Sequence, residues 1–537
     1  VSLRAHSPIT TPREQHPPSP EPVASASEPT RTTSVSKKRF LPNVAANVLS
    51  VMIMTGIHLW FTPYLIHQLG FAAYGFIPLA LRITRYFGIF TSGLTGAVGR
   101  FYAIDVAKDD QVSANKTFNT ALVVLSSLTI VVMPCAALLI YVIPRFMNVP
   151  SGMESDVRFL FGGVMVAFLV TAFSSSFGVS AFARHRFDLK QIVEMVRFGA
   201  RVALVLFFFS LLTPRLWQVG LAIGIASALA LTVSVWIWRV LSPYLRISPK
   251  SFDRLRMREI TDMSVWTVVG QIGALLFISV DIVIVNKLFG PTDAGKYGSI
   301  LVFGTMIRTL GGAMATVLTP AIMAKYADGD YRNLFSFAVR AVKLLGLCIA
   351  LPIGLLVGLA QPLLSLWLGT EATTLAPLLR VMTCHLAVNL AVMPLLSVHP
   401  ACNRMRIPSL VSTAGGTASI LLAIGLARGT GLGMLSVALA GAIALTVKNT
   451  LFVPLYTAAI LHRHPGPFLS VLLKIVTVTT VAAGAAYLSA SSVTPSSWPS
   501  LAVAASPVAV GYIGVVYLLV LNADDKRLIG SLLRRKR

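Results

Sequence analysis

Between about residue 44 and residue 522 the chain alternates long apolar runs with short polar breaks. The runs repeatedly reach the ~20 residues that a helix needs to cross a bilayer core of ~30 Å. Breaks at Gly, Pro and charge clusters predict fourteen helical segments, from 44–66 and 73–99, through 260–286 and 297–323, to 467–490 and 500–521. No alternating pattern of the kind that builds a membrane barrel is present, so helices are the spanning element. The expected fold is an all-α integral membrane protein with about 14 transmembrane helices.

Composition agrees: 55% of the 537 residues are hydrophobic and 12% charged, too little charge to cover a soluble protein of this length. The net charge of +25 raises the question of nucleic acid, and its distribution answers it. With the N-terminus inside, the loops on the inner side carry seventeen Lys or Arg and those on the outer side six, with six more in each tail. That regular alternation is the positive-inside pattern, and one helix more or fewer would invert it. The basic charge is therefore read as topology and contact with anionic membrane lipids, with no nucleic acid partner. Both termini are expected in the cytoplasm and the chain in a bacterial inner or plasma membrane. Residues 1–40, rich in Pro, Ser and Thr, read as a disordered cytoplasmic tail without a signal-peptide core, and 523–537 as a basic cytoplasmic tail. The four cysteines have no ligand spacing, so neither disulfide nor metal site is expected.

The chain also resembles itself. "HQLGFAAYGFI" (67–77) and "NKLFGPTDAGKYGSI" (286–300) both run through a Leu and a Gly to a Tyr-Gly pair, Tyr74-Gly75 and Tyr297-Gly298. "LTGAVGRFYA" (94–103) likewise matches "LTPAIMAKYA" (318–327). The first pair of segments thus matches the seventh and eighth, at an offset near 223. An even number of helices between the repeats keeps their orientation, which predicts two parallel six-helix repeats, residues 41–246 and 247–460, with a cavity where they face. Residues 461–522 add two C-terminal helices.

Arginine is costly inside a bilayer, at about 2.5–3.5 kcal/mol near a helix centre, yet Arg82, Arg85 and Arg308 interrupt apolar runs. Arg85 and Arg308 each follow their Tyr by eleven residues and each precede a Gly by three. At 1.5 Å per residue they lie about 16 Å below the outer boundary, near the midplane. Buried arginines hydrogen-bonded to carbonyls or an acid would serve packing alone. Acids are scarce, however: away from loops and helix ends the segments offer only Asp281 and Glu194. Two arginines lining a wet cavity would instead clamp an anion, and the planar, permanently charged guanidinium suits phosphate. Arg201, on one face with Arg197 and Glu194, is a further cavity candidate, while Arg197 is expected either to pair with Glu194 or to snorkel to the inner interface. Asp281 either binds a coupling cation or proton, or caps structure beside Lys287. Arg340, Lys343, Lys448 and Lys474 read as anchors that snorkel to an interface. Gln271, His58 and His385 read as interhelical hydrogen bonds.

Through "LGFAAYG" and "DIVIVNKLFGPTDAGKYG", the chain resembles the multidrug/oligosaccharidyl-lipid/polysaccharide (MOP) exporter superfamily, and within it the polysaccharide (Wzx-type) flippases. The resemblance covers about residues 40–525. It implies a flippase that moves a polyprenyl-pyrophosphate-linked oligosaccharide to the outer leaflet by alternating access, with cavity arginines on the pyrophosphate. It makes polysaccharide polymerase or glycosyltransferase machinery candidate partners. No Walker A sequence is present, so no nucleotide cofactor is expected and the driving force would be a gradient, the membrane potential or product consumption. A lipid II flippase would use the same chemistry. A cation-coupled drug antiporter would need more interior acids, and an enzyme would need outer-face catalytic groups that the short outer loops do not carry.

Overall fold

The computed structural model describes residues 37–184, 186–402 and 404–522; the tail assignments for 1–36 and 523–537 lie outside them. Among the described residues there is helix and no strand. The helices are α1 Lys37–Tyr74, α2 Phe76–Ala107, α3 Gln111–Phe146, α4 Glu154–Ser174, α5 Phe187–Leu211 and α6 Leu216–Leu241. There follow α7 Arg254–Ser279 with its continuation Asp281–Phe289, α8 Pro291–Ala327, and α9 Tyr331–Gly358 with its continuation Ala360–Leu368. The broken α10 covers Thr370–Ala401, and the series ends with α11 Arg406–Gly429, α12 Met434–Ile460, α13 Gly466–Val493 and α14 Trp498–Val515. Each expected segment falls on one of these helices.

Ten of the helices are long and apolar enough to cross a membrane, eleven if the bent α1–α2 pair counts as one. Their outer faces carry bare hydrocarbon: Val131 on α3, Leu421 on α11 and Val510 on α14 are 68%, 66% and 71% exposed. Only lipid makes such faces stable on an isolated chain. The helices outside those ten are α1, α2, α5 and α7; α2, α5 and the continuation of α7 carry Arg82, Arg85, Arg201, Glu194 and Asp281, while Arg308 is on α8, one of the ten.

Similar backbone turns recur at corresponding places in the two regions. Gly70 ends the first part of α1 at φ 77°, ψ 162°, and Gly290 ends α7 at φ 90°, ψ 177°. That region is open to glycine almost alone. At the other ends of α2 and α8, Asp109 and Gly329 turn the chain at φ 56° and 71°. Asp110 and Asp330 then cap the next helices, accepting from Ser113 N at 2.8 Å and Asn333 N at 2.9 Å. These landmarks all differ by 220 rather than 223. Three extra residues separate Gly290 from Tyr297 compared with Gly70 and Tyr74, and the chain recovers them before the capping aspartates. Counted from its turn, Arg308 therefore stands three residues further along its helix than Arg85. The path to Arg85 also bends by 69° between Tyr74 and Phe76, so the two arginines do not stand at equivalent places along straight helices.

α2 and α8 cross closely near these glycine turns. A Cβ on Gly75 would stand 2.7 Å from Gly295 N, and one on Gly298 2.7 Å from Pro78 Cγ. Gly75 is thus explained by backbone approach and Gly298 by the Pro78 ring packed against it. Other ties reinforce the same end of the molecule: Trp367 Nε1 donates to Leu59 O at 2.6 Å, and Asn148 Nδ2 to Asn286 O at 2.9 Å.

Candidate functional site: two joined cationic cavities

Below this crossing, α1, α2, α5, α6 and α8 enclose a cavity of about 700 Å³. Arg82, Arg85 and Arg201 all line it. Arg82 and Arg85 are one turn apart on α2, so both guanidinium groups reach the same space. Arg82 is buried, whereas Arg85 is exposed although it sits mid-helix, because its side chain faces the cavity. On α5, Arg201 lies over the Phe198 ring at 4.8 Å, and its Nε is buried without a hydrogen-bond partner among the described residues. One turn away, Arg197 Nη1 grips both oxygens of Glu194 at 2.9 and 3.0 Å, so of its two expected roles it takes the pairing. His58 stacks on Phe198 at 4.3 Å rather than bridging helices by a hydrogen bond.

A second cavity, about 340 Å³, holds Arg308, Asp281, Tyr297 and His385. Helix α7 breaks at Val280, so Asp281 occupies the first turn of its continuation, where amide N–H groups and the helix dipole favour negative charge. Tyr297 Oη donates to Asp281 Oδ2 at 3.3 Å. Arg82 and Arg308 both lie in electrostatic range of this carboxylate. Helix α10 breaks at His385, which turns its ring toward the same space. His385 Nδ1 lies 2.9 Å from Val381 O, and since a carbonyl can only accept, the proton resides on Nδ1. Nε2 is left as an acceptor, 3.5 Å from Arg308 Nη2. Arg82, Arg85, Thr305 and Thr309 line both cavities, which are therefore continuous.

The structure thus gathers Arg82, Arg85, Arg201, Arg308 and Asp281 around one connected space. It does not put Asp281 beside Lys287: Lys287 Nζ donates to Phe146 O at 2.6 Å, its side chain turned toward α3. Two expected interface anchors are also internal. Lys343 is buried among helices, and Lys448 donates to Ser412 Oγ at 3.3 Å across α12 and α11. Arg340 and Lys474 are exposed as expected. Arg380 donates from Nε to Val357 O at 3.2 Å, an intramolecular role near the end of α9. Gln271 accepts from Ser92 Oγ at 2.9 Å, the interhelical bond foreseen for it. Sequence reasoning missed Tyr297 as a functional group. Its place in the Tyr-Gly pair was the available signal, but that it bonds Asp281 depends on the break at Val280.

Residues 40–324 match the family model described as "Polysaccharide biosynthesis protein". The uncharacterised membrane protein EpsK of Bacillus subtilis (strain 168) is 31% identical over 496 residues, 91% of this chain and 97% of EpsK. The chain belongs to the polysaccharide biosynthesis protein family. Its fold is that of the MOP superfamily. The lipid II flippase MurJ in an inward closed conformation superposes with a TM-score of 0.66 at 12% identity, covering 89% of this chain and 99% of that one. An inward-facing MATE-family multidrug transporter gives 0.64 at 14% identity, covering 78% and 98%. Membership in the polysaccharide branch of the superfamily makes this a multi-pass membrane protein of the flippase and transporter class.

Proposed function

We propose that the protein is a flippase for a polyprenyl-pyrophosphate-linked oligosaccharide, moving it from the cytoplasmic to the outer leaflet of the cytoplasmic membrane by alternating access. The observation that carries this reading is the convergence of Arg82, Arg85 and Arg308 on cavities whose two carboxylates are Glu194, taken by Arg197, and Asp281. A diphosphate presents several anionic oxygens, and guanidinium groups from two helices meet them with paired, charge-assisted hydrogen bonds. Arg201 adds a further cation on the opposite wall. An organic cation would find this lining repulsive.

Asp281 is the resident counter-ion in this account. It balances Arg82 and Arg308 while no substrate is bound, and arrival of the diphosphate displaces it and frees it to take up a proton or cation. The Lys and Arg excess puts the Asp110 and Asp330 turns on the cytoplasmic side and the glycine crossing on the outer side. Residues 41–246 and 247–460 would rock about the cavity, closing it outside through Gly75 and Gly295 and opening it inward. Its partners are then the lipid-linked saccharide, the surrounding lipids and the machinery that makes or polymerises the glycan.

The test is binding by purified, detergent-solubilised protein of an undecaprenyl-pyrophosphate-linked sugar and, separately, of a hydrophobic organic cation. Wild type should bind the first alone, and the Arg85→Ala/Arg308→Ala double variant, shown to be folded, should lose it. Cation binding that survives the double substitution would make the arginines structural and the protein a cation antiporter.

A further inference from the structure

A third cavity, about 400 Å³, lies on the opposite side of Glu194 and Arg197 from the arginine clamp, and both residues line it and the 700 Å³ cavity. Along α2 it begins at Ser92 and reaches Gly99, while the clamp cavity ends at Arg85. Seven residues at 1.5 Å put its near edge about 10 Å from Arg85, toward the Asp110 end of the helix. Its size falls in the range of about 300–1,000 Å³ typical of small-molecule sites.

The lining has a definite chemistry. Thr95, Thr171, Ser175 and Ser234 line it with hydroxyls that already donate to nearby backbone carbonyls, which leaves their oxygens to accept. Phe177 and Phe182 supply aromatic surface, with Phe182 lying over Gly99. Arg197 brings a buried Nε without a hydrogen-bond partner, a donor at the threshold between the two spaces. Gly96 lines the cavity with nothing within 4 Å of where its Cβ would be, so the space in front of it is open. Acceptor oxygens beside an aromatic face suit a molecule with alternating C–H and O–H surfaces, whose hydroxyls would donate to them. A hydrocarbon chain would bring no donor to these oxygens, and a metal ion would find no cluster of acids, histidines or cysteines among the described residues.

We infer that this cavity is a saccharide subsite, which docks the sugar attached to the diphosphate while the diphosphate is held by Arg85 and Arg308. The inference rests on the flippase reading and adds to it a separate determinant of substrate choice, built from α2, α4, α5, α6 and the segment 175–186 between α4 and α5. Selection among glycans then belongs to these helices, and retention of the anion to the arginines.

The experiment compares two soluble probes on the full chain in detergent: farnesyl diphosphate, and farnesyl diphosphate bearing one hexose or N-acetylhexosamine, tested as the gluco and galacto forms of each. At least one glycosylated probe should bind about tenfold more tightly than the bare diphosphate, the gain from a few net hydrogen bonds. Gly96→Leu, which fills open space, should bring that ratio to about one. Phe182→Ala, which removes the aromatic face, should lower it independently and serves if the first variant fails to fold. Wild type that binds neither probe would overturn the flippase reading itself. Diphosphate binding with no gain from any sugar, or a gain that survives both substitutions, would overturn the saccharide subsite and leave the clamp standing.

Discussion

The two arginine-bearing helices use the same residue type in opposite surroundings. On α2, Arg85 faces the larger cavity with Arg82 beside it and Arg201 across from it, and the nearest acid, Glu194, is taken by Arg197. On α8, Arg308 is held by a buried group of neutral and acidic partners: His385, Asp281 and, through it, Tyr297. One side is a cation waiting for an anion, and the other is a cation already provided with one. The difference teaches that similar arginine positions on two helices acquired different neighbours: the break at Val280 gives Arg308 and Arg82 a shared carboxylate in Asp281, and the break at His385 adds an imidazole beside Arg308 alone.

The largest effect should come from disturbing that counter-ion. Asp281→Asn removes the carboxylate that Arg82 and Arg308 share at electrostatic range and the acceptor of the Tyr297 hydroxyl, and should cost about 1–3 kcal/mol of stability. Glu194→Gln breaks a half-exposed pair and should cost under about 1 kcal/mol. Thermal unfolding in one detergent compares them, and equal losses would remove the distinction between the two sides. Asp281→Asn should also bind diphosphate more tightly than wild type, since its internal competitor is gone.

Next comes the crossing. Gly295→Val drives a side chain into the backbone of Phe71 and should cost about 1–3 kcal/mol by overpacking. Under the flippase reading it also pries open the outer side, which accessibility of a cysteine placed near Trp60 would report as faster labelling. Unchanged labelling would mean that this contact closes nothing.

The smallest effects test the repeat itself. Asp110→Ala and Asp330→Ala each remove one N-cap hydrogen bond and should each cost about 1 kcal/mol. Losses that agree between the two would support equivalent turns, and a large inequality would show that the halves have diverged in local energetics.

Much of this was legible in the chain. Apolar length marks ten of the helices among the described residues, because in a bilayer length and apolarity are the requirement itself. The Tyr-Gly pairs marked the repeat, and the arginines announced themselves by their cost. Other features were hidden for physical reasons. The three-residue difference in position between Arg85 and Arg308 depends on where Gly70 and Gly290 turn, and sequence similarity around the tyrosines slides past it. The partnership of Tyr297 with Asp281 depends on a helix break that no proline signals. The hydroxyl-lined cavity draws single residues from four helices, and Ser or Thr in a membrane helix is by itself unremarked.

The account stands on the claim that Arg85 and Arg308, from two helices, hold one anion. The most direct measurement is the affinity of the purified protein for a bare polyprenyl diphosphate in wild type, Arg85→Ala and Arg308→Ala. If both arginines touch the diphosphate, each substitution removes charge-assisted hydrogen bonds worth about 1.5–3 kcal/mol and weakens binding about 10- to 100-fold. An Arg308→Ala protein that is folded and binds as wild type does would show that Arg308 serves Asp281 and His385 alone, and the two-sided clamp would be wrong.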